Sequence, residues 1–204
     1  MTTISIIGSG NMASAIGTRA AKHGHTIELM SRNTAKAQAL ADQIGKGATV
    51  GTFGARPAGD IVILAVLHEG AVEAVAHYGE TLAGKILVDI TNPFNADVSG
   101  LVTTVGNSVA QQIAAAAGGA DVVKAFNTIL RGVLAEDKPV DVFFAGDSAE
   151  AKARFAAFVE SLDMRALDAG GLEMAHALEW ASILLVGVAR NGAGFDIALG
   201  AKVL

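Results

Sequence analysis

The stretch ISIIGSGNMASA (residues 4–15) constrains the fold more than any other part of this 204-residue chain. An apolar, β-rich run ends at Gly8, and a helical pattern from Asn11 to His23 follows, with Gly24 near its end. Between them lies G-x-G-x-x-A, in which each small residue has a reason to be there. Gly8 permits the tight turn, Gly10 lets a pyrophosphate approach the backbone, and Ala13 lets the helix lie close to the sheet. The free N–H groups and partial positive charge of the helix start then favour phosphate, with Ser9, Asn11 and Met12 as loop contacts. A glycine pattern alone is weak evidence, but a strand before it and a helix after it, at the head of a βαβ pattern, favour a phosphate loop over a merely structural turn.

The rest of the chain alternates β-rich and helical patterns in the manner of parallel α/β folds. TIELM is a second strand, and Thr34 to Ile44 is a helix closed by Gly45. ATVGT is a weak strand, and DIVILAV (residues 60–66) is the clearest buried one, a continuous apolar run. Glu69 to Leu82 reads as helical and KILVDIT as a strand, whereas NPFNAD must be a loop because Pro93 lacks the N–H of a central strand. Ser108 to Ala117 is helical, DVVKAFN and VDVFFAG are strands, and Ala149 to Leu162 is a helix that Asp147 or Ser148 would cap. RALDAG is a last short strand. From Leu172 a helix apolar nearly all round is expected, with Glu173, His176 and Glu179 three apart on one side. Such a helix either folds back over its own sheet or meets a partner.

The end of the second strand is where an acid would hold the ribose of NAD. Here stand Ser31 and Arg32, with Lys36 one helical turn on. A carboxylate would repel a 2′-phosphate, whereas Ser31 can donate to it, Arg32 can grip it and Lys36 can reach it, so the chain is expected to select NADP. Glu28 lies mid-strand and is not the missing acid. A net charge of -5 without a basic run argues against nucleic acid as partner. With no Cys there is no disulfide, thiolate metal site or thiol nucleophile. The N-terminus has no basic n-region and no long apolar core, and Val98 to Ala120, the longest uncharged stretch, is broken by polar residues. No signal peptide and no membrane association are expected, and a soluble, cytoplasmic location is the default.

The segments IGSGNMASAIGTRAAKHGH, SRNTAK, VDITNPFN, VVKAFNT, AGD and LDAGGL occur in the order found in reductases similar to F420-dependent NADP oxidoreductase, and NGAGFDIALGAKVL resembles that family's tail. The resemblance spans nearly the whole chain. It implies a Rossmann-type, doubly wound, mainly parallel α/β sheet over residues 1–168. It also implies a small C-terminal helical extension over 169–204 that closes the site, and a homodimer. The implied activity is hydride transfer between NADP(H) and a flavin-like acceptor such as coenzyme F420 or a flavin. Ser31, Arg32 and Lys36 become the 2′-phosphate site and Gly8 to Met12 the pyrophosphate loop. Ala65, Val66 and His68 after one strand, and Asn92 and Pro93 after the next, flank the nicotinamide half. LHEG after Val66, and His176 where arginine is common, depart from the family's pattern and leave the acceptor open.

Transfer between nicotinamide and a flavin-like ring needs no protein acid or base, so no catalytic residue is assigned. His68 suits proton transfer by its place and titration range, but a pocket-lining or plain loop histidine is the stronger reading. His23, His25, His77 and His176 have no metal spacing, no metal is expected, and His23 and His25 read as solvated or capping. DAGGLE (residues 168–173) either approaches a second cofactor or is a turn with unusual backbone angles, and Asn127 and Thr128 are weak candidates for substrate contact. Two other functions stay open: an NADP-linked imine reductase resembling pyrroline-5-carboxylate reductase, and a non-enzymatic NADPH-binding sensor.

Overall fold

The computed structural model describes residues 2–202 and Leu204. The strands are β1 (Thr3–Ile7), β2 (Thr26–Met30), β3 (Thr49–Gly51), β4 (Ile61–Leu64), β5 (Ile86–Asp89), β6 (Asp121–Lys124), β7 (Asp141–Gly146) and β8 (Arg165–Asp168). They form one sheet in the order β3-β2-β1-β4-β5-β6-β7-β8. Strands β3 to β6 are parallel, β7 runs antiparallel to β6, and β8 is parallel to β7. The helices are α1 (Asn11–Lys22), α2 (Thr34–Ile44), α3 (Ala71–Tyr78), α4 (Val109–Ala116), α5 (Arg131–Ala135), α6 (Ala149–Glu160) and α7 (Ala175–Val188).

Strand alternation sorts the core onto two faces. Ile4 and Ile6 join Ile16 of α1, Leu40 of α2 and Phe155 of α6 in one cluster. Ile7, Val62 and Leu64 join Val75 and Tyr78 of α3 and Ile113 of α4 in the other. Helices on both faces of a sheet whose order reverses between β1 and β4 make the fold doubly wound, as expected. Fully burying one such aliphatic side chain contributes about 1.5–3 kcal/mol.

Local signals place several ends. Asn33 caps α2 by accepting from the Lys36 N–H, and Gly45 ends it with φ +65. Ser148 caps α6 through the Ala151 N–H, whereas Asp147 accepts from the Leu172 N–H and so holds the entry to the last helix. The expected helix over residues 69–82 is broken into a short 3₁₀ turn, α3 and a second 3₁₀ turn. Helix α5 escapes the sequence reading because five residues carry too little periodicity. It spans roughly 7.5 Å, too short to return the chain across the sheet, so β7 enters from the end at which β6 leaves.

One of the two histidines around Gly24 differs from expectation, and the other caps α1 as expected. His25 is buried, bonded to Ser161 Oγ at 2.8 Å and edge-on to Phe158, rather than solvated. His23 follows α1 and pairs with Asp137 Oδ1 at 3.0 Å. The Lys22 ammonium donates to that same Asp137 carboxylate and, with His23 and Arg19 beside it, holds its pKa down at about 2.

The chain is helical from Leu172 to Ala193, long and apolar enough by composition to cross a membrane. Here it lies partly against the sheet and is inside-out: His176, Glu179 and Ser182 are buried, while Trp180, Leu184 and Val188 are exposed. Beyond it the extension is not helical. Residues 194–202 form an irregular strap, with the Ala201 N–H bonded to Asp141 and Asp196 paired with Lys138.

Candidate cofactor cleft

A cleft of about 840 Å³ opens at the carboxyl ends of β1 and β4, the point where strand order reverses. Ligands of open α/β sheets bind in such a crevice. Its lining comes from the loop after β1 (Gly8–Met12), the end of β2 (Ser31, Arg32), Phe53, the segment after β4 (Ala65–Gly70), Ala74 and the segment after β5 (Ile90–Asn92).

The two glycines of the first loop do different work. Gly8 has φ +127 and donates its N–H to Met30 O at 2.8 Å; a Cβ there would stand 2.2 Å from Ala65 O. It is required by the crossing of backbone between β1 and β4. Gly10 is the N-cap of α1, with φ -91 and ψ -170, and a Cβ there would meet nothing within 4 Å. The space above Gly10 belongs to the cleft. Gly10 has no side chain to cap α1, and no acid lies in the first turn. The first N–H groups of the helix and its positive dipole end therefore remain available to an anion.

Ser9 Oγ and Ser31 Oγ lie 3.1 Å apart, which ties this loop to the end of β2. The Arg32 guanidinium lies over the Phe53 ring at 5.2 Å and pairs with Glu73 Oε1 at 2.8 Å. Both members of that pair are well exposed, so it contributes about 0–1 kcal/mol and can be exchanged for a doubly charged phosphate. Glu28, the nearby acid, accepts from Ser5 Oγ and the Ala58 N–H instead of facing the cleft.

On the opposite side, Ala65, Val66 and His68 line the cleft, with His68 Nδ1 3.3 Å from Glu69 Oε2. Asn92 lines it too and donates through Nδ2 to Asn127 O at 2.9 Å. Of the thirteen sequence-derived positions, Lys36 and Pro93 lie outside the lining: Lys36 is exposed on the first turn of α2, and Pro93 follows Asn92. Asn127 and Thr128 are buried behind Asn92 and have no place in the open cleft. DAGGLE is a turn with Gly170 at φ +116, away from the lining. No described residue of the C-terminal extension is among those lining the cleft.

Sequence reasoning missed Phe53, Leu67 and Thr91. Phe53 follows a three-residue strand and carries no periodicity. Leu67, three residues past the end of β4, is a large apolar residue left 80% exposed at the cleft, which its sequence neighbours do not signal.

The fold and this cleft define a doubly wound, dinucleotide-binding α/β protein. Residues 3–93 match the family described as NADP oxidoreductase, coenzyme F420-dependent. The chain is 29% identical over 199 residues to the F420-dependent NADP reductase of Methanocaldococcus jannaschii, with 89% of each covered. A solved structure from Arthrobacter sp. FB24, provisionally assigned as an F420-dependent NADP reductase, superposes with a TM-score of 0.83 at 23% identity over 98% of this chain and 100% of that one. An imine reductase from Myxococcus stipitatus superposes with a TM-score of 0.69 at 20% identity over 94% of this chain, which spans only 62% of that enzyme. These two likenesses speak to the fold alone. Over most of its length the chain is thus similar to F420-dependent NADP reductases, and residues 3–93 carry the match to the family's description.

Proposed function

We propose that this chain binds NADP(H) in the cleft and transfers a hydride between it and a flavin-like acceptor, of which coenzyme F420 is the first candidate. The observation that carries the proposal is the open backbone of Gly10 at the start of α1, with Ser31 and Arg32 at the end of the adjacent strand. In this reading the loop from Gly8 to Met12 holds the pyrophosphate, and Ser31 and Arg32 hold the 2′-phosphate, with Lys36 reaching it from α2. Ala65, Val66, His68, Asn92 and Pro93 flank the nicotinamide.

The cofactor supplies the hydride, and the chain supplies binding, orientation and exclusion of water. Arg32 exchanges Glu73 for phosphate, and Phe53 offers an apolar face beside it. No side chain is assigned to move a proton; the proton that accompanies the hydride comes from solvent. The outward stripe of Trp180, Leu184 and Val188 on α7 supports a further element of the proposal, pairing as a homodimer. Size-exclusion chromatography giving a dimer at micromolar protein is expected, and a monomer rejects the pairing.

The test of the activity is an absorbance assay with NADPH and, in parallel, F420, FMN and a cyclic imine. Reduction of F420 with NADPH and little with NADH is the expected result. Turnover of the imine alone moves the reading to an imine reductase. Tight NADPH binding without any turnover moves it to a sensor.

A further inference from the structure

Behind the cleft wall lies a buried ionic cluster that no step above uses. Lys124, the last residue of β6, Asp89, the last residue of β5, and Glu179 of α7 all have fully buried side chains. Lys124 Nζ is 2.8 Å from Asp89 Oδ2 and 3.2 Å from Glu179 Oε1. A buried ion cluster of this kind is costly to form and is weak evidence of stabilisation, so what it holds is the question.

What it holds is Thr91. Lys124 Nζ donates to Thr91 O, and Asp89 Oδ1 accepts from the Thr91 N–H at 2.9 Å. Thr91 is therefore gripped through both its backbone groups, and it lines the cleft between Ile90 and Asn92. The neighbouring Asn92 is gripped as well. Its Nδ2 donates to the Asn127 backbone carbonyl and its Oδ1 accepts from Asn127 Nδ2, which also reaches Leu178 O at 2.9 Å and Ser182 Oγ at 3.1 Å on α7. The cleft wall after β5 is thus anchored to β6 and α7 by charged and polar groups, in addition to the core packing of Ile90.

Two carboxylates share one ammonium, and the His176 ring faces the second of them, Nδ1 lying 3.8 Å from Glu179 Oε2. Burial pushes the Glu179 carboxyl above its usual range, with Lys124 acting against that shift.

We propose that Lys124 is a positioning residue of the cleft: through Asp89 and Thr91 it fixes the wall on which the nicotinamide half rests, and through Glu179 it ties that wall to α7. The proposal rests on the reading that NADP(H) occupies this cleft. Lys124 touches neither end of the cofactor, and the adenine end, built on Ser31, Arg32 and Phe53, is independent of it.

The test compares two probes on the Lys124→Met protein. Adenosine 2′,5′-bisphosphate reads the adenine end alone; NADPH reads both ends, and its fluorescence reports the surroundings of the nicotinamide. The expected result is 2′,5′-bisphosphate affinity within about twofold of the unaltered protein, NADPH affinity about tenfold weaker, and loss of the fluorescence change on binding. Lys124→Met leaves Asp89 buried and uncompensated. If it does not fold, the Asp89→Asn/Lys124→Met protein, which removes both charges together, is measured in its place. Equal weakening of both probes, or no weakening of either, overturns the proposal. Failure of the unaltered protein to bind NADPH is a different outcome and removes the reading on which the proposal rests.

Discussion

Gly10→Ala is expected to leave the protein as stable as before and to cost it NADPH. The backbone at Gly10 is in an extended conformation that alanine adopts freely, and the new methyl group meets no protein atom within 4 Å. Losing glycine's flexibility in the unfolded chain stabilises by about 0.4–1 kcal/mol. Losing a tolerable N-cap costs a comparable amount, so the net change in unfolding free energy stays within about 0.5 kcal/mol. The methyl group does, however, occupy the space through which a pyrophosphate would approach the N–H groups of α1. Each charged hydrogen bond lost there costs about 1.5–3 kcal/mol, and two of them weaken NADPH by about a hundredfold or more. Gly8→Ala is the contrast. Its φ of +127 and the 2.2 Å approach to Ala65 O predict a loss of stability of about 2–3 kcal/mol before any ligand is added. Chemical denaturation and NADPH titration of the two variants check both statements. A Gly10→Ala protein that binds NADPH normally would mean that the loop does not hold phosphate.

Arg32→Ala is expected to weaken NADPH by about tenfold to a hundredfold and to leave NADH nearly unchanged, since only the former carries the phosphate that Arg32 grips. The present partner of Arg32 sets the scale. An exposed pair with Glu73, worth about 0–1 kcal/mol, gives way to a doubly charged phosphate without much opposition. Glu73→Gln therefore moves NADPH affinity the other way, by a few-fold, because it removes a competing acceptor and a repelling charge about one guanidinium away. The two variants also separate charge from packing. Arg32 covers Phe53, and loss of that contact would weaken both dinucleotides alike.

These outcomes bear on how far residues alone reveal a site. The first βαβ unit was legible because the helix start at Gly10 and the helix end at Gly45 are set by neighbours in sequence, and because the spacing of Gly8 before Gly10 marks the turn even though the contact that demands it, with Ala65, is distant. Ser31 and Arg32 were legible for the same reason, as they end a strand whose limits the alternation fixes. The direction of β7 was not, because strand polarity follows from the length and path of a connection. Phe53 reaches the cleft only through tertiary placement.

Lys124 and Asp89 gave a signal that local patterns could not interpret. Each is a charged residue closing a continuous apolar run, VVK and ILVD, where burial on both faces of the sheet leaves a charge no solvent. Such a residue must find a partner, and the sequence does not say which. The last helix was half legible. Its apolar character was evident, but that its polar stripe turns inward and its apolar stripe outward depends on Asn127 and Lys124 waiting beneath it.

The central claim is that the cleft is built for NADP. Calorimetric titration of the unaltered protein with NADPH and with NADH, at one fixed ionic strength, tests it most directly. NADPH is predicted to bind at least about tenfold more tightly, the share of affinity that one charged contact to the 2′-phosphate supplies. Equal affinities, or a preference for NADH, would contradict the reading of Ser31 and Arg32 and with it the account of the site.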